Sequence, residues 1–260
     1  MPRLVGSEMC IRDRYKNKVK AVDNLDLNVP MGSSFGFVGP NGAGKSTTVN
    51  FIAGLIRKTN GALKIMGEEI VEDNYEYKRK IGFVLEKPFY IDNLTAREYL
   101  HFAGRMLGLD KNTTEERTEE LIEFFDLPGD KKLIEKFSAG MKKKISLAAA
   151  LIHDPEILIL DEPFEGIDTV SSETIRSMLT KMVEKGKTIF LTSHILEIVE
   201  KLCSEVAIID KGKVIFQSPI EDIRERFKDD QLKKRYSSLE QLFLSLVSGS
   251  EKKDTLSWLE

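Results

Sequence analysis

Cysteine is scarce in this chain of 260 residues: Cys10 and Cys203 stand far apart and form no C-x-x-C pair. That pattern excludes a disulfide-stapled scaffold and a thiolate metal cluster. No secretory signal is legible either, so the expectation is a reducing cytosol and no structural disulfide. Long apolar runs are also missing. The longest, "LAAALI" at 147–152 and "ILIL" at 157–160, are core-sized, well short of the roughly 18–20 residues that span a bilayer. Charge of one sign is missing too: 39 Lys and Arg stand against 42 Asp and Glu, a formal net charge of -3. Without a global basic field no nucleic-acid partner is expected, and any phosphate binding must be local.

What is present suits one large globular unit or two small lobes, with 41% hydrophobic and 31% charged residues. Short apolar runs rich in β-formers alternate with amphipathic helical patterns, which is the signature of an α/β domain with a mostly parallel sheet. The strands expected are 34–39, 80–86, 156–162, 187–194 and 205–210. Between them, residues 171–185 place Ile175, Met178, Leu179, Met182 and Val183 on one helical face, and 195–203 do the same with Ile195, Ile198, Val199 and Leu202. Residues 87–140 read differently. Thr95 with Glu98, and Thr113 with Glu116, are capping boxes opening two helices with no convincing strand between them, so this is expected to be an inserted helical subdomain.

The ends of the chain read separately. Residues 1–14 fit neither pattern and read as a non-native leader outside the functional argument. Residues 221–260 form a C-terminal helical extension. In it Ser237 and Glu240 make a further capping box ahead of an apolar stripe of Leu239, Leu242, Phe243, Leu246 and Val247. The simpler reading docks that stripe on its own domain; the other gives it to a partner.

The chemistry concentrates in a few short stretches. "GPNGAGKST", Gly39 to Thr47, fits G-x-x-x-x-G-K-[ST] directly after an expected strand and before a helical stripe. Its residues Gly39, Pro40, Asn41, Gly42, Ala43 and Gly44 can turn successive amides inward around phosphate oxygens, and the following helix adds its positive end. Lys45 reaches the β- and γ-phosphates, and Ser46 offers a hydroxyl to Mg²⁺. "ILILDE" then delivers Asp161 to the carboxyl edge of the sheet as a Mg²⁺ partner, and Glu162 beside it as general base for an attacking water. His194 closes "LTSH" at the same edge, where it can hold the γ-phosphate and Glu162 in register. "FSAGMKKKI" at 137–145 looks like an ordinary capped helix start, and its lysines like a solvated face.

Taken in order, the phosphate loop, "FSAGM", "ILILDEP", "EGID" and "LTSH" resemble the nucleotide-binding subunit of ABC-type transporters over about residues 15–220. The resemblance implies a P-loop NTPase fold with a RecA-like, mostly parallel mixed sheet, an N-terminal antiparallel β portion and the helical subdomain at 87–140. It implies that Tyr15 stacks on adenine, and that Glu86 stands where a glutamine usually links Mg²⁺ to the helical subdomain. It also implies a head-to-tail pair of ATPase subunits, identical or closely related. In that pair Ser138, Ala139, Gly140 and Met141 face the γ-phosphate held by the other copy, and Gly166 and Asp168 lie in the loop between them. The signature departs from the common pattern at Ala139 and Met141, and both changes, with Glu86, resemble the subgroup that exports drugs, antibiotics, ions or envelope lipids.

On this reading the chain hydrolyses ATP with Mg²⁺ at the cytoplasmic face of the membrane, held there by a multi-span permease subunit. Family members that act on ribosomes or nucleic acid are the alternative. They usually carry tandem ATPase units, coiled-coil insertions or zinc modules, whereas this chain has one phosphate loop, no long heptad run and no cysteine cluster.

Overall fold

The computed structural model describes residues 12–15, 19–23, 25–56, 62–71, 76–226 and 238–247. Two short strands come first, β1 (Arg12–Tyr15) and β2 (Val19–Asp23), paired antiparallel. β1 thus begins inside the segment read as a leader. The central sheet follows, built from β3 (Ser34–Val38), β6 (Ile81–Val84), β7 (Ile157–Asp161), β8 (Thr188–Ser193), β9 (Glu205–Asp210) and β10 (Lys213–Pro219). Its order is β10-β9-β3-β8-β7-β6. All neighbours are parallel except β10, which returns antiparallel along β9. A small hairpin, β4 (Lys64–Ile65) with β5 (Glu68–Glu69), stands apart.

The continuous apolar runs make sense because both faces of the sheet are covered, so the apolar side chains of the inner strands meet a core on either face. The period-two rule divides them. Phe35, Phe37, Ile157, Ile159, Phe190, Ala207 and Ile209 point into one cluster with Val49 and Ile52 of α1 (Lys45–Ile52). Val38, Leu158, Leu160, Ile189, Leu191, Val206 and Ile208 point into the other. There they meet α4 (Ala139–Leu151), α5 (Thr169–Glu184) and α6 (Leu196–Leu202). All five residues of the expected α5 stripe join that second cluster. Burying such side chains contributes roughly 1.5–3 kcal/mol each.

Residues 87–140 hold α2 (Ala96–Met106) and α3 (Lys111–Phe124), with one isolated bridge between Thr95 and Leu133. Thr95 and Glu98 make both halves of a capping box. The second expected box does not form, because Asp110 caps α3 by accepting from Thr113 N–H, which puts Thr113 inside the helix rather than at its start. Aspartate at that position outcompetes threonine three residues later. Past β10 come α7 (Ile220–Arg226) and α8 (Leu239–Val247). Ser237 lies outside the described residues. Leu239 is fully buried, and Leu242, Phe243 and Val247 pack on the same cluster as α6. Among the described residues no helix is long and apolar enough to cross a membrane.

Candidate functional site

Strand register brings the candidate residues to one edge. Val38 at the end of β3 lies opposite Ser193 of β8, Thr192 lies opposite Asp161 of β7, and Leu160 lies opposite Val84 of β6. The segments leaving these four parallel strands therefore emerge side by side at the carboxyl edge, where open α/β sheets bind ligands. They are the glycine loop, Glu86, Glu162 and His194. Together they line a cleft of about 680 Å³.

The glycine loop is shaped by what a side chain would hit. A Cβ on Gly39 would lie 2.4 Å from the carbonyl of Ile209, so the loop leaves β3 flush against β9. Gly42 and Gly44 then take φ of 80° and 114°, open to glycine and strained for other residues. α1 starts without a side-chain cap and with no acidic residue in its first turn, which leaves its first amides and its positive end for a ligand. Of residues 39–47 all but Ala43 line the cleft; Ala43 is buried beneath it. Lys45 is buried, and its ammonium donates to the carbonyls of Gly39 at 2.7 Å and Pro40 at 3.4 Å.

One carboxylate meets the loop directly, and a second is buried at the end of β7. Ser46 donates its hydroxyl to Glu86 at 3.1 Å. Asp161 is 1% exposed and accepts from the Thr192 hydroxyl. A hydroxyl and two carboxylates are hard oxygen donors of the kind Mg²⁺ takes while keeping several waters. Among the described residues no group of three or more His, Cys, Asp or Glu side chains is placed to hold a metal ion.

Glu162 adopts φ of 48°, a left-handed conformation that costs a non-glycine residue about 1–3 kcal/mol. The surroundings hold it there. Its amide donates to Thr192 Oγ1 at 3.1 Å, and one carboxylate oxygen lies 2.9 Å from His194 Nδ1 and accepts from the His194 amide at 3.3 Å. Glu162 is largely covered while the His194 ring is half exposed in the cleft. With Glu162 ionised, Nδ1 carries the proton of that contact.

The signature residues are elsewhere. Ser138 caps α4, accepting from Met141 N–H at 3.2 Å, and Ser138 and Ala139 are exposed. Ala139 opens the helix and is not among the residues of positive φ, so its methyl group brings no backbone strain where glycine is common. A Cβ on Gly140 would lie 2.9 Å from the carbonyl of Gly166, so the signature turn rests on the loop after Glu162. None of residues 138–141 lines the cleft of its own chain. Asp168 caps α5 by accepting from Ser171 N–H at 2.9 Å, and those bonds hold its carboxyl below the usual carboxylate range. Tyr15 ends β1, and its side chain lies outside the described residues.

Several residues at the site escape a reading of the sequence. Thr192 bridges Asp161 and the Glu162 amide from the next strand. Tyr90, four residues past Glu86, donates to the Lys142 carbonyl at 2.9 Å and so ties that segment to α4. Phe243 of α8 lines the cleft. Lys143 is buried, where the run Lys142 to Lys144 reads as a solvated face: its ammonium lies 3.4 Å from the Asp161 carbonyl. Burial draws its pKa down, against the pull of Glu165, Asp161, Glu162 and Glu86. The helical period gives no signal for it, because Ile145 and Ala148 are buried on the opposite side of α4 from Lys143 and Ser146, so the helix is covered on both sides.

Comparison with known proteins identifies the family and the fold. The family model described as ABC transporter matches residues 22–165. The bacitracin transport ATP-binding protein BcrA of Bacillus licheniformis is 40% identical over 209 residues, which is 80% of this chain and 67% of that protein. The linearmycin resistance ATP-binding protein LnrL of Bacillus subtilis is 39% identical over 223 residues, covering 85% of this chain and 71% of that one. A solved ATP-binding subunit of an ABC transporter superposes with a TM-score of 0.82 at 29% identity, over 92% of this chain and 98% of its own.

Proposed function

The chain belongs to the ABC transporter family as an ATP-binding subunit, and from that premise we propose that it hydrolyses ATP to drive export by a separate membrane permease. The observation that carries the proposal is the shared edge where an uncapped helix start, the Ser46–Glu86 pair and the Glu162–His194 pair face one cleft. The amides of residues 42–46 and the ammonium of Lys45 take the phosphates, with Lys45 exchanging the carbonyls of Gly39 and Pro40 for phosphate oxygens. Ser46, Asp161 and Glu86 would hold Mg²⁺, which supplies neutralisation of charge on the β- and γ-oxygens.

Glu162 accepts the proton of the attacking water, and His194 keeps the carboxylate aimed. Because Nδ1 is engaged by Glu162, the other ring nitrogen donates to the γ-phosphate when the ring carries both protons. Tyr15 is assigned to the adenine. Ser138, Ala139, Gly140 and Met141 lie away from their own cleft, as expected of residues that complete the cleft of a second ATPase subunit, with Gly166 and Asp168 in the loop beside them. Nucleotide then holds two copies together, and hydrolysis releases them.

The permease is supported by exposed apolar side chains in the segment after Glu86 and on α2: Phe89 at 92% exposure and Ile91 in the first, Phe102 and Met106 one turn apart on the second. Exposed apolar side chains of this kind can receive a cytoplasmic helix of a multi-span partner, which would hold this subunit at the inner face of the membrane. The names of the relatives, bacitracin transport and linearmycin resistance, favour an export system that handles antibiotic-like molecules.

Glu162→Gln tests the core of this reading. Phosphate release should slow by about 10²–10⁴, the range for loss of a general base, with nucleotide binding retained. Unchanged turnover would remove Glu162 from the reaction.

A further inference from the structure

Glu162 needs to be held. Its left-handed backbone is strained, three carboxylates, Glu86, Glu162 and Glu165, line the cleft where a triphosphate must also fit, and the buried Asp161 precedes Glu162 in the chain. Mutual repulsion would push the acidic side chains apart and loosen the turn that aims Glu162. Two of the turn's supports come from β8 and the segment after it, through Thr192 and His194. The third comes from α4. Lys143 sits one turn beyond the signature start, is buried, and brings its ammonium within 3.4 Å of the Asp161 carbonyl, the oxygen of the peptide that leads into Glu162. Its neighbours do other things: Lys142 lies 5.6 Å from the centre of the Tyr90 ring, and Lys144 is only partly covered.

We propose that Lys143 is a positioning residue for ATP hydrolysis, fixing the Asp161–Glu162 peptide from below and compensating the carboxylates gathered at the strand end. The inference rests on the reading of Glu162 as general base. It adds a physical link to that reading, because the helix whose exposed start is assigned to the partner's nucleotide also grips the turn that carries its own chain's Glu162. A shift of α4 along its axis therefore moves both. A buried ammonium is a poor choice for stability alone, since an apolar side chain of like volume is often neutral or stabilising in such a place. Its placement at the Asp161 carbonyl points to a function.

The experiment compares K143M, K143R, E162Q and the double variant K143M/E162Q in the full chain, following Mg-ATP phosphate release, binding of a fluorescent ATP analogue and the thermal midpoint. K143M should lower turnover about 10- to 100-fold, the range for a slight misplacement of a reacting group, with nucleotide affinity and midpoint held or the midpoint raised. K143R, which keeps the charge, should recover most of the lost rate. In the E162Q background K143M should have almost no further effect, because the group it positions is already gone.

Unchanged turnover of K143M overturns the proposal. So does an equal proportional loss in both backgrounds, or a loss that follows a lowered midpoint, since each marks Lys143 as structural only. Should E162Q alone turn over normally, the general-base reading fails first, and that outcome is distinct from a normal K143M beside a slow E162Q.

Discussion

Two helix starts in this molecule look alike in sequence and are used differently. α1 begins after Gly44 in a left-handed conformation, with no side-chain cap, and opens into a cleft of its own chain. α4 begins after Ser138 in an extended conformation, with the serine hydroxyl on Met141 N–H, and its first residues are exposed away from that cleft. Each presents the positive end of a helix. The uncapped start leaves its first amides open to the cleft, where water or a ligand can meet them, which suits the proposed role of holding phosphate. The capped start has spent one amide internally, and it offers a small, exposed, rigid turn. Such a turn is suited to meeting a phosphate already held elsewhere.

The comparison can be broken most severely at the first start. Lys45→Met should reduce turnover by about 10²–10³, the loss seen when one charge-stabilising donor is removed, and should weaken binding of a fluorescent ATP analogue as well. If binding were to survive intact, the α1 amides alone would suffice for affinity, and the contrast would rest on catalysis only. Next in size is Thr192→Val, which deletes the donor to Asp161 and the acceptor for Glu162 N–H. We expect about tenfold slower turnover, within the range for misplacing a reacting group. The buried carboxylate left short of a donor should also cost roughly 1–3 kcal/mol, seen in denaturant unfolding.

The second start should respond more gently and in a different manner. Ser138→Ala removes an N-cap worth about 1 kcal/mol, which lowers the midpoint by a few degrees. Its effect on turnover should grow with protein concentration in the range where two copies associate, with binding of a fluorescent ATP analogue to dilute protein unchanged. A turnover loss for Ser138→Ala that is the same in dilute and concentrated protein would place Ser138 in its own chain's reaction and dissolve the contrast.

This difference also governs what the sequence discloses. The glycine loop is legible because its amides, lysine and hydroxyl lie within nine consecutive residues, and the apolar strand before it fixes their direction. The four inner strands, β3, β7, β8 and β9, are legible because burial on both faces makes them continuous apolar runs. β10 is not, since its residues alternate between partly covered and exposed at the sheet edge and carry no strong apolar pattern. The support of Glu162 is not legible either. It joins Thr192, His194 and Lys143 from three separated segments, and only strand register and the docking of α4 bring them together. Phe243 reaches the cleft for a similar reason, through the packing of α8 on α6. Local signals can also compete, as at α3, where Asp110 takes the cap that Thr113 and Glu116 advertise.

The smallest and sharpest test concerns Asp168, which lies between the two halves of the contrast: it follows the loop on which the signature turn rests, and it caps α5. The hydrogen bonds from Ser171, ahead of the Lys144 charge, hold its carboxyl below the usual range. A carboxylate depressed on folding adds stability that is present above its unfolded value and lost as pH falls through its folded value. The midpoint advantage of the wild type over Asp168→Ala should therefore be full at pH 7 and fade only in acid below the ordinary carboxylate range. Asp168→Ser separates cap from contact, because a serine oxygen still accepts from the α5 amides without carrying charge. If Asp168 also meets the second subunit, D168S should keep the midpoint at pH 7 yet slow turnover about two- to fivefold, the worth of one exposed polar pair. Normal turnover in D168S would confine Asp168 to capping, and the interface would then rest on the α4 start alone.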